Sequence, residues 1–393
     1  MRYKAIKLRS GKLGTHKPGH PWIFRNQLLK DIDPSIKPGD IISVVDSDNK
    51  FLGRGYYNSH SEITIRLLTF KDEPVDEGFF VSRFRDALKK RKPILEYTDA
   101  FRAVFSEADG LPGLIVDMYK NTAVFQLLTF GMEKLEPYII SSIASVLKPE
   151  FVYEKSVSPY REIEGLRDVK KWRTGAGENI IEIREGKAKF LVDIERGHKT
   201  GFYLDQRRSR MALCNICKGK RVLDLFSYTG GFSVSAAISG ASDVTGVDIK
   251  REWLELAEKN TALNGVAGKV NFIEGDAFAV LKDICERGEK FDIVILDPPS
   301  FLKSRESIKT AAKGYEELNI MAIKALNSGG ILATFSCSHN MPNEVFNSIL
   351  KKAATQAKRE FGIIKRCHQA EDHPIIRAIP ETEYLKGYFL KIS

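Results

Sequence analysis

Apolar residues in the C-terminal half of the chain come in short blocks that alternate with stretches of helical spacing. The blocks are five or six residues long and bounded by turn residues, which predicts strands rather than helices. The predicted strands are 221–226, 243–248, 270–274, 291–296 and 331–336, and the predicted helices are 232–239, 252–264, 278–287 and 313–326. Strands and helices in turn are typical of a doubly wound α/β sheet, which binds its ligands at the carboxyl ends of the strands.

The N-terminal part has a different pattern, in which short alternating segments are separated by turns. They predict a small β-rich module with strands at 41–45, 51–57 and 62–68. The acidic, proline-containing stretch 71–78 predicts a linker. An α+β central region follows, with a helix at 79–92, a strand at 123–129 and a helix at 132–147. A length of 393 residues exceeds what one core usually serves and indicates two or three domains; the three patterns lead us to expect domains at 1–72, 73–180 and 181–393.

Composition and charge narrow the class of protein. Hydrophobic residues make up 43% of the chain and charged residues 28%, which are values of a folded protein rather than a disordered one. No apolar run approaches the roughly 20 residues of a membrane-spanning helix, so we expect no membrane span. The net charge is +10, and residues 1–70 hold twelve basic and six acidic side chains. This concentration indicates a polyanionic partner for the N-terminal module, although a solvated lysine-rich surface has the same composition.

The five cysteines have no spacing typical of a disulfide framework, and the first twelve residues lack the apolar core of a secretory signal. Both features predict free thiols in the reducing cytoplasm. Cys214 and Cys217 form a single C-x-x-C motif in a stretch, 207–217, that we predict to be helical. Because no second pair of ligands lies nearby, we interpret both thiols as packing residues and predict no metal site.

The predicted strands end in residues suited to a nucleoside. After the first strand comes a glycine turn, D-L-F-S-Y-T-G-G-F at 224–232, without the G-x-G-x-x-G spacing that serves a pyrophosphate. Asp248 ends the second strand 24 residues after Asp224, close to the offset at which an acid reaches ribose hydroxyls, and Asp276 follows the third strand. Each aspartate alone is as readily a turn former or a helix cap, but together they indicate S-adenosylmethionine. The predicted cofactor-binding residues are Asp224, Phe226, Tyr228, Thr229, Gly230, Asp248, Asp276, Ala277 and Asp297.

Asp297 and Cys337 carry the predicted chemistry. Asp297 ends the fourth strand, and the two prolines after it fix its backbone at the sheet edge. Cys337 follows the fifth strand, which the usual sheet order of such domains places beside the fourth. A thiolate that adds to C6 of a pyrimidine makes C5 nucleophilic, and an acid such as Asp297 would handle the proton at N3. The alternatives are a rigid turn for Asp297 and a small packed residue for Cys337.

These motifs resemble those of the PUA-domain, class I S-adenosylmethionine-dependent methyltransferases that modify cytosine C5 in large-subunit (23S) rRNA. The resemblance covers nearly the whole chain and is carried by 19–24, 107–113, 197–207, 224–232, 297–301 and 336–338. It implies a PUA domain, an α+β central domain and a Rossmann-like catalytic domain. It also implies 5-methylcytosine formation with Cys337 as the nucleophile, and rRNA as the partner.

The sequence departs from the better-known cytosine-C5 RNA methyltransferases at one position and leaves alternatives open. Those enzymes have two cysteines, the second of which follows the proline of the fourth-strand motif. In this sequence Pro298 is followed by Pro299 and Ser300 instead. The base that removes the C5 proton is therefore unassigned among His339, Asp297 and a water. One alternative function is methylation of a guanine nitrogen in rRNA, with Asp297 at the base edge; another is an inactive RNA-binding assembly factor. A homodimer is an open alternative to a monomer.

Overall fold

The computed structural model describes residues 3–9, 19–29, 31–301 and 308–393. Contacts divide the chain into two units. The first comprises Met1–Ile183, Val192–Leu204 and Glu371–Thr382, and the second comprises Arg184–Leu191, Asp205–Ala370 and Glu383–Ser393. Among the described residues, no helix has the length and apolar composition needed to cross a membrane.

The first unit begins with a five-stranded sheet in the order β1-β3-β4-β5-β2. Its strands are β1 (Lys4–Lys7), β2 (Trp22–Ile23), β3 (Ile41–Val45), β4 (Phe51–Tyr57) and β5 (Ile65–Thr69). The predictions for β3 and β4 are confirmed, whereas β5 begins three residues after the predicted start at 62. The strands β1 and β2 were not predicted, because strands of four and two residues are too short to show a period.

A second sheet of this unit has the order β10-β9-β8-β7-β6. Its strands are β6 (Ala100–Phe105), β7 (Leu114–Tyr119), β8 (Thr122–Leu127), β9 (Phe151–Ser156) and β10 (Val169–Thr174). The helix α1 (Glu77–Arg91) begins where the Asp76 carboxylate accepts the Phe79 N–H, close to the predicted start. The helices α2 (Phe130–Lys134), α3 (Glu136–Ser142) and α4 (Pro159–Ile163) complete the set.

The prediction of one continuous helix at 132–147 is wrong. The segment is divided into α2, α3 and a π-helical turn at Ile143–Leu147. Pro137 lies in the first turn of α3, where its missing N–H is tolerated. In a continuous helix the same proline would remove a hydrogen bond and clash with the preceding turn.

The N-terminal sheet has a hydrophobic core of its own, and its residues Tyr56 and Leu68 also pack into the core of the second sheet, the central core. The Tyr56 hydroxyl donates to the Pro112 carbonyl at 2.8 Å, and the Tyr56 ring is buried in the central core. Arg66 forms an ion pair at 2.8 Å with the buried Glu164. The N-terminal sheet is therefore held by buried contacts as well as by the chain that follows it.

The second unit contains a seven-stranded sheet, which confirms the predicted α/β class. Its strands are β13 (Arg221–Leu225), β14 (Asp243–Asp248), β15 (Val270–Glu274), β16 (Phe291–Leu296), β17 (Leu326–Ser336), β18 (Phe361–Cys367) and β19 (Lys386–Ile392), and the hairpin β11 (Ile180–Glu185) and β12 (Ala188–Asp193) precedes them in the chain. The order is β15-β14-β13-β16-β17-β19-β18, and β19 runs antiparallel to both of its neighbours. The strand order reverses between β13 and β16, which defines the switch point at which such sheets bind ligands.

The described helices of this unit are α5 (Arg207–Cys214), α6 (Gly231–Ile238), α7 (Arg251–Leu263), α8 (Ala277–Glu286), α9 (Ile308–Lys324) and α10 (Asn343–Gln356). The predictions for α6, α7 and α8 hold to within one residue at their starts, α9 begins five residues before its predicted start at 313, and α10 was not predicted. The prediction of a helix through residue 217 is wrong, because α5 ends at Cys214. All five cysteines are free, as predicted, and the Cys217 thiol donates to the Ala236 carbonyl at 3.5 Å. Burial raises the pKa of Cys217 to about 11, which agrees with a packing role.

Candidate active site

The turn between β13 and α6 has an unusual backbone. Phe226 and Tyr228 have positive φ values of 66° and 51°, in the left-handed region that side chains rarely adopt. Two contacts to β14 hold the turn: the Asp248 Oδ2 atom accepts the Tyr228 N–H at 2.9 Å, and the Ser227 N–H donates to the Val247 carbonyl at 2.8 Å. Backbone strain of this kind costs on the order of 1–3 kcal/mol per residue and is concentrated at functional sites.

Gly230 ends the turn and requires glycine for two reasons. Its φ is 79°, and a Cβ atom at this position would lie 3.1 Å from the Cβ of Ala257. The carbonyl of the preceding Thr229 accepts the Asn260 side-chain amide at 2.9 Å. The backbone of the turn is thus held from α7 as well as from β14.

Three buried polar atoms in this region suit a polar ligand. Within the described part of the chain, Asp224 Oδ1, Ser227 Oγ and Thr229 Oγ1 have no hydrogen-bond partner. The other oxygen of Asp224 accepts the backbone N–H and the hydroxyl of Ser233, at 3.0 and 2.6 Å. Because buried polar groups are nearly always paired, a ligand with hydroxyl or ammonium donors fits these atoms. S-adenosylmethionine carries both kinds of donor.

The electrostatics also favour a cationic ligand. Burial, assisted by the nearby carboxylates of Asp297 and Asp248, raises the pKa of Asp224 to about 7. The carboxylates of three aspartates at the carboxyl ends of neighbouring strands therefore repel one another. A sulfonium or ammonium group placed among them would relieve that repulsion.

Asp276 and Ala277 lie at the end of β15, as predicted, but the structure gives Asp276 a capping contact. The exposed Asp276 side chain accepts the Ala279 N–H at 3.0 Å and so caps α8, which begins at the buried Ala277. A helix cap accounts for an aspartate at this position without a ligand. The predicted role of Asp276 in cofactor binding stays a prediction.

Asp297 and Cys337 follow two adjacent parallel strands, since β16 pairs with β17. The Cys337 thiol makes a long contact of 4.0 Å to the Pro298 carbonyl, which directly follows Asp297 in the chain. Burial raises the pKa of Tyr315, and both Cys337 and Asp297 lie close enough to raise it further. The two predicted catalytic residues are thus brought to one end of the sheet. His339 is exposed, and its ring centroid lies 5.2 Å from that of Tyr384.

Three polar residues at this end of the sheet were not singled out from the sequence. The Gln206 side-chain amide donates to Asp297 Oδ1 at 2.9 Å, and the Tyr315 hydroxyl accepts from Ser336 at 3.2 Å. The ammonium group of Lys386, on β19, donates to the Ser338 carbonyl at 2.8 Å. For Gln206 the sequence does carry a signal, because the residue lies in the 197–207 motif. The other two carry no local signal, because they depend on α9 and β19 meeting the end of β17.

The reversal of strand order, the strained glycine turn and the aspartates at the strand ends define a Rossmann-like nucleoside-binding domain. The family model for S-adenosylmethionine-dependent methyltransferases matches residues 164–378, and the model for a PUA-like domain matches residues 6–70. These matches agree with the α/β sheet of the second unit and with the β-rich N-terminal module.

Relatives and solved structures agree with the family models. Ribosomal RNA large subunit methyltransferase I from Alteromonas mediterranea is 43% identical over 95% of both chains, and the Escherichia coli protein of that name is 39% identical over 95% of both. A protein described as a methyltransferase and solved in complex with SAH is 23% identical, with a TM-score of 0.85 over 100% of both chains. The chain therefore belongs to the family of S-adenosylmethionine-dependent methyltransferases that contains the ribosomal RNA large subunit methyltransferase I proteins. It is a methyltransferase with S-adenosylmethionine as its cofactor.

We expect Asp248→Ala to weaken S-adenosylmethionine binding roughly 5- to 150-fold, because ribose hydroxyls would lose their acceptor at about 1–3 kcal/mol. The substitution also removes the acceptor that holds the Tyr228 N–H. Calorimetric titration of the purified protein measures the change. Asp243→Ala is the matched control, because Asp243 lies at the opposite end of β14 and forms a surface ion pair with Arg221. Equal affinity of both variants would remove Asp248 from the cofactor site.

Proposed function

We propose that this protein forms 5-methylcytosine in large-subunit rRNA through a covalent bond between Cys337 and C6 of the target cytosine. The observation that carries the proposal is the placement of Cys337 beside Asp297 at the carboxyl ends of two adjacent strands. Support for an rRNA substrate comes from the names of relatives that match over 95% of the chain. An rRNA substrate also favours the cytoplasm as the site of action.

The chain's own residues supply the covalent step. The Cys337 thiolate adds to C6, the C5–C6 double bond opens, and the electron density moved into the ring makes C5 nucleophilic. The Asp297 carboxyl group donates a proton to N3, which neutralises the charge that the thiolate brings into the ring, and takes the proton back when the thiolate leaves; Gln206 orients this carboxyl group through their 2.9 Å hydrogen bond. After methylation a base removes the C5 proton, the double bond reforms and the thiolate leaves. His339, Asp297 and a water remain the candidates for that base.

The cofactor is assigned to the ends of β13, β14 and β15, together with Asp297 after β16 across the switch point. When bound, S-adenosylmethionine supplies an electrophilic methyl group. We assign its binding to the turn at 224–230, to Asp248 and to the residues around Asp276 and Asp297. Support comes from the unpaired buried oxygens of the turn and from the carboxylates that repel one another there. The residues assigned are Asp224, Phe226, Tyr228, Thr229, Gly230, Asp248, Asp276, Ala277 and Asp297.

The methylated nucleoside decides between the proposed reaction and its alternative. Large-subunit rRNA from cells lacking the protein is methylated with the purified enzyme, digested to nucleosides and analysed by mass spectrometry. We expect 5-methylcytidine, and no product when the enzyme carries Cys337→Ala. A methylguanosine product would instead support attack by a guanine nitrogen, with Asp297 at the base edge. Absence of any methylated nucleoside would favour an assembly factor.

The N-terminal module is assigned to RNA binding, within proposed domains at 1–72, 73–180 and 181–393. Four of the twelve basic residues that suggested this role, Arg2, Lys12, Lys17 and Lys30, lie outside the described residues. Lys4, Arg25 and Lys37 are exposed, and Arg25 lies next to the exposed ring of Phe24. Cationic side chains beside an aromatic ring suit phosphates and an unstacked base.

Replacing Lys4, Arg25 and Lys37 by glutamine should weaken RNA binding and reduce its salt dependence. Each lost phosphate contact lowers the slope of log affinity against log salt by about one. Substitution is preferable to deletion of the module, because Tyr56 is buried in the central core. The control replaces three exposed lysines of the second unit, Lys282, Lys351 and Lys352. An unchanged slope in the first variant would mean that the charge is ordinary solvated surface.

A further inference from the structure

Lys386 is a buried lysine that the reaction proposed above does not use. It is the first residue of β19 and is 8% exposed. Strand pairing places it opposite Ser336, the residue before Cys337. Its ammonium group donates to the Ser338 carbonyl at 2.8 Å and to the Tyr384 carbonyl at 3.1 Å. The backbone of Lys386 is therefore paired with the residue before Cys337, and its amine contacts the carbonyl of the residue after it.

The contacts of Lys386 fit a charged amine. An ammonium group has three N–H donors and no acceptor, and both recorded contacts are to carbonyl oxygens, which can only accept. Burial lowers the pKa of Lys386, whereas the negative charges of Glu383 and of an ionised Cys337 act in the opposite direction. The interaction between the lysine and the thiol is reciprocal: if the thiolate favours the ammonium form, the ammonium favours the thiolate by the same free energy.

We propose that Lys386 is a positioning residue that stabilises the thiolate form of Cys337 and fixes the backbone at Ser338. The inference rests on the proposed function, in which that thiolate adds to C6. The need for a cation is physical, because an ordinary thiol has a pKa of about 8.5 and is mostly protonated at neutral pH. Asp297 lies near the Tyr315 hydroxyl that Cys337 also approaches, Glu383 lies near Lys386, and the His339 ring packs against Tyr384; a carboxylate close to the thiol would repel a thiolate. A fixed ammonium group offsets that repulsion.

The test compares Lys386→Met, which removes the charge but keeps a long unbranched side chain, with Lys386→Arg, which keeps the charge. Full-length protein is alkylated with iodoacetamide between pH 6 and 10, and peptide mass spectrometry follows Cys337 separately from the other four cysteines. An opposite charge at close range shifts a pKa by about 1–3 units. We expect the midpoint for Cys337 to rise by about one unit or more in Lys386→Met, and to stay near the wild-type value in Lys386→Arg.

Two controls separate this effect from a general loss of structure. Lys391→Met removes an exposed lysine from the other end of β19 and should leave the Cys337 midpoint unchanged. Cys285 serves as an internal reference, since burial raises the pKa of its thiol and no variant should alter its alkylation. Methyl transfer by Lys386→Met should fall roughly tenfold at pH 7 and recover toward pH 9, as the thiolate fraction does.

Two results would overturn the inference. One is an unchanged Cys337 midpoint in a folded Lys386→Met protein. The other needs no variant: a wild-type midpoint for Cys337 at or above about 8.5, the value of an unperturbed thiol. Neither depends on methyl transfer, so failure of the proposed function is distinguishable. If Cys337→Ala still methylates RNA, the proposed function fails; if Cys337→Ala is inactive and the midpoint does not move, only the role of Lys386 fails.

Discussion

Replacement of Cys337 by alanine is expected to reduce methyl transfer by at least about a thousandfold, because the covalent step has no other nucleophile. Cys337 directly follows β17 and lies outside the strained turn at 226–230, to which we assign the cofactor. Affinity for S-adenosylmethionine and for RNA should therefore stay within about twofold of wild type, since the lost group acts in the chemical step. Single-turnover methylation and equilibrium binding measure the two effects separately.

The covalent bond itself can be trapped. An RNA carrying 5-fluorocytosine at the target position should remain attached to Cys337, because the base cannot remove fluorine as it removes the C5 proton. Serine substitutions at the four other cysteines are the matched controls and should leave the adduct intact; these are Cys214, Cys217, Cys285 and Cys367. If a Cys337→Ala enzyme methylates RNA at close to the wild-type rate, the covalent mechanism is wrong and methylation of a guanine nitrogen becomes the better account.

The central part of the sheet could be predicted from the sequence because its strands are buried on both faces. The strands β13 and β16 read as mostly apolar blocks, and α6, α7 and α8 begin within one residue of their predicted starts. The edge strand β18 has five consecutive exposed residues, so it shows no alternation. The antiparallel strand β19 depends on pairing with β17, a contact between distant parts of the chain.

Some residues of the candidate site could be predicted from the sequence and others could not. Residues that follow a predicted strand, such as Asp248, Asp297 and Cys337, could be placed together from the sequence alone, because parallel strands end at one edge. Their partners could not. Gln206 reaches Asp297 from a segment 91 residues earlier, and Lys386 reaches Ser338 from 48 residues later. The sequence also could not distinguish Asp248, which holds the strained turn, from Asp276, which caps a helix.

Asp109→Ala should destabilise the first unit by about 3–5 kcal/mol, which is the cost of leaving a buried cation without its partner. Asp109 belongs to the E-A-D-G-L-P-G motif at 107–113, and its carboxylate accepts two hydrogen bonds from Arg91, at 2.8 and 2.5 Å. Its second oxygen also accepts the Phe105 N–H at 2.8 Å. The Arg91 side chain is 0% exposed and packs between Asp109 and the Asp372 carbonyl. Without Asp109, the guanidinium keeps its charge but has no carboxylate.

Urea denaturation of the full chain, followed by a probe in the first unit, measures this loss. Asp86→Ala is the matched control. Asp86 pairs with Lys89, another basic residue of α1, but this pair lies at the surface, where such pairs contribute about 0–1 kcal/mol. Burial alone would raise the pKa of Asp109, but Arg91 and Lys90 outweigh it and lower the pKa below its ordinary value. The contribution of Asp109 is therefore fully present above the unfolded pKa of about 3.9 and is lost as the pH falls through the lower folded value. The difference between wild type and Asp109→Ala should be largest near neutral pH and shrink below about pH 4. A difference that stays constant down to pH 3 would mean that Asp109 stabilises the unit by packing rather than by charge.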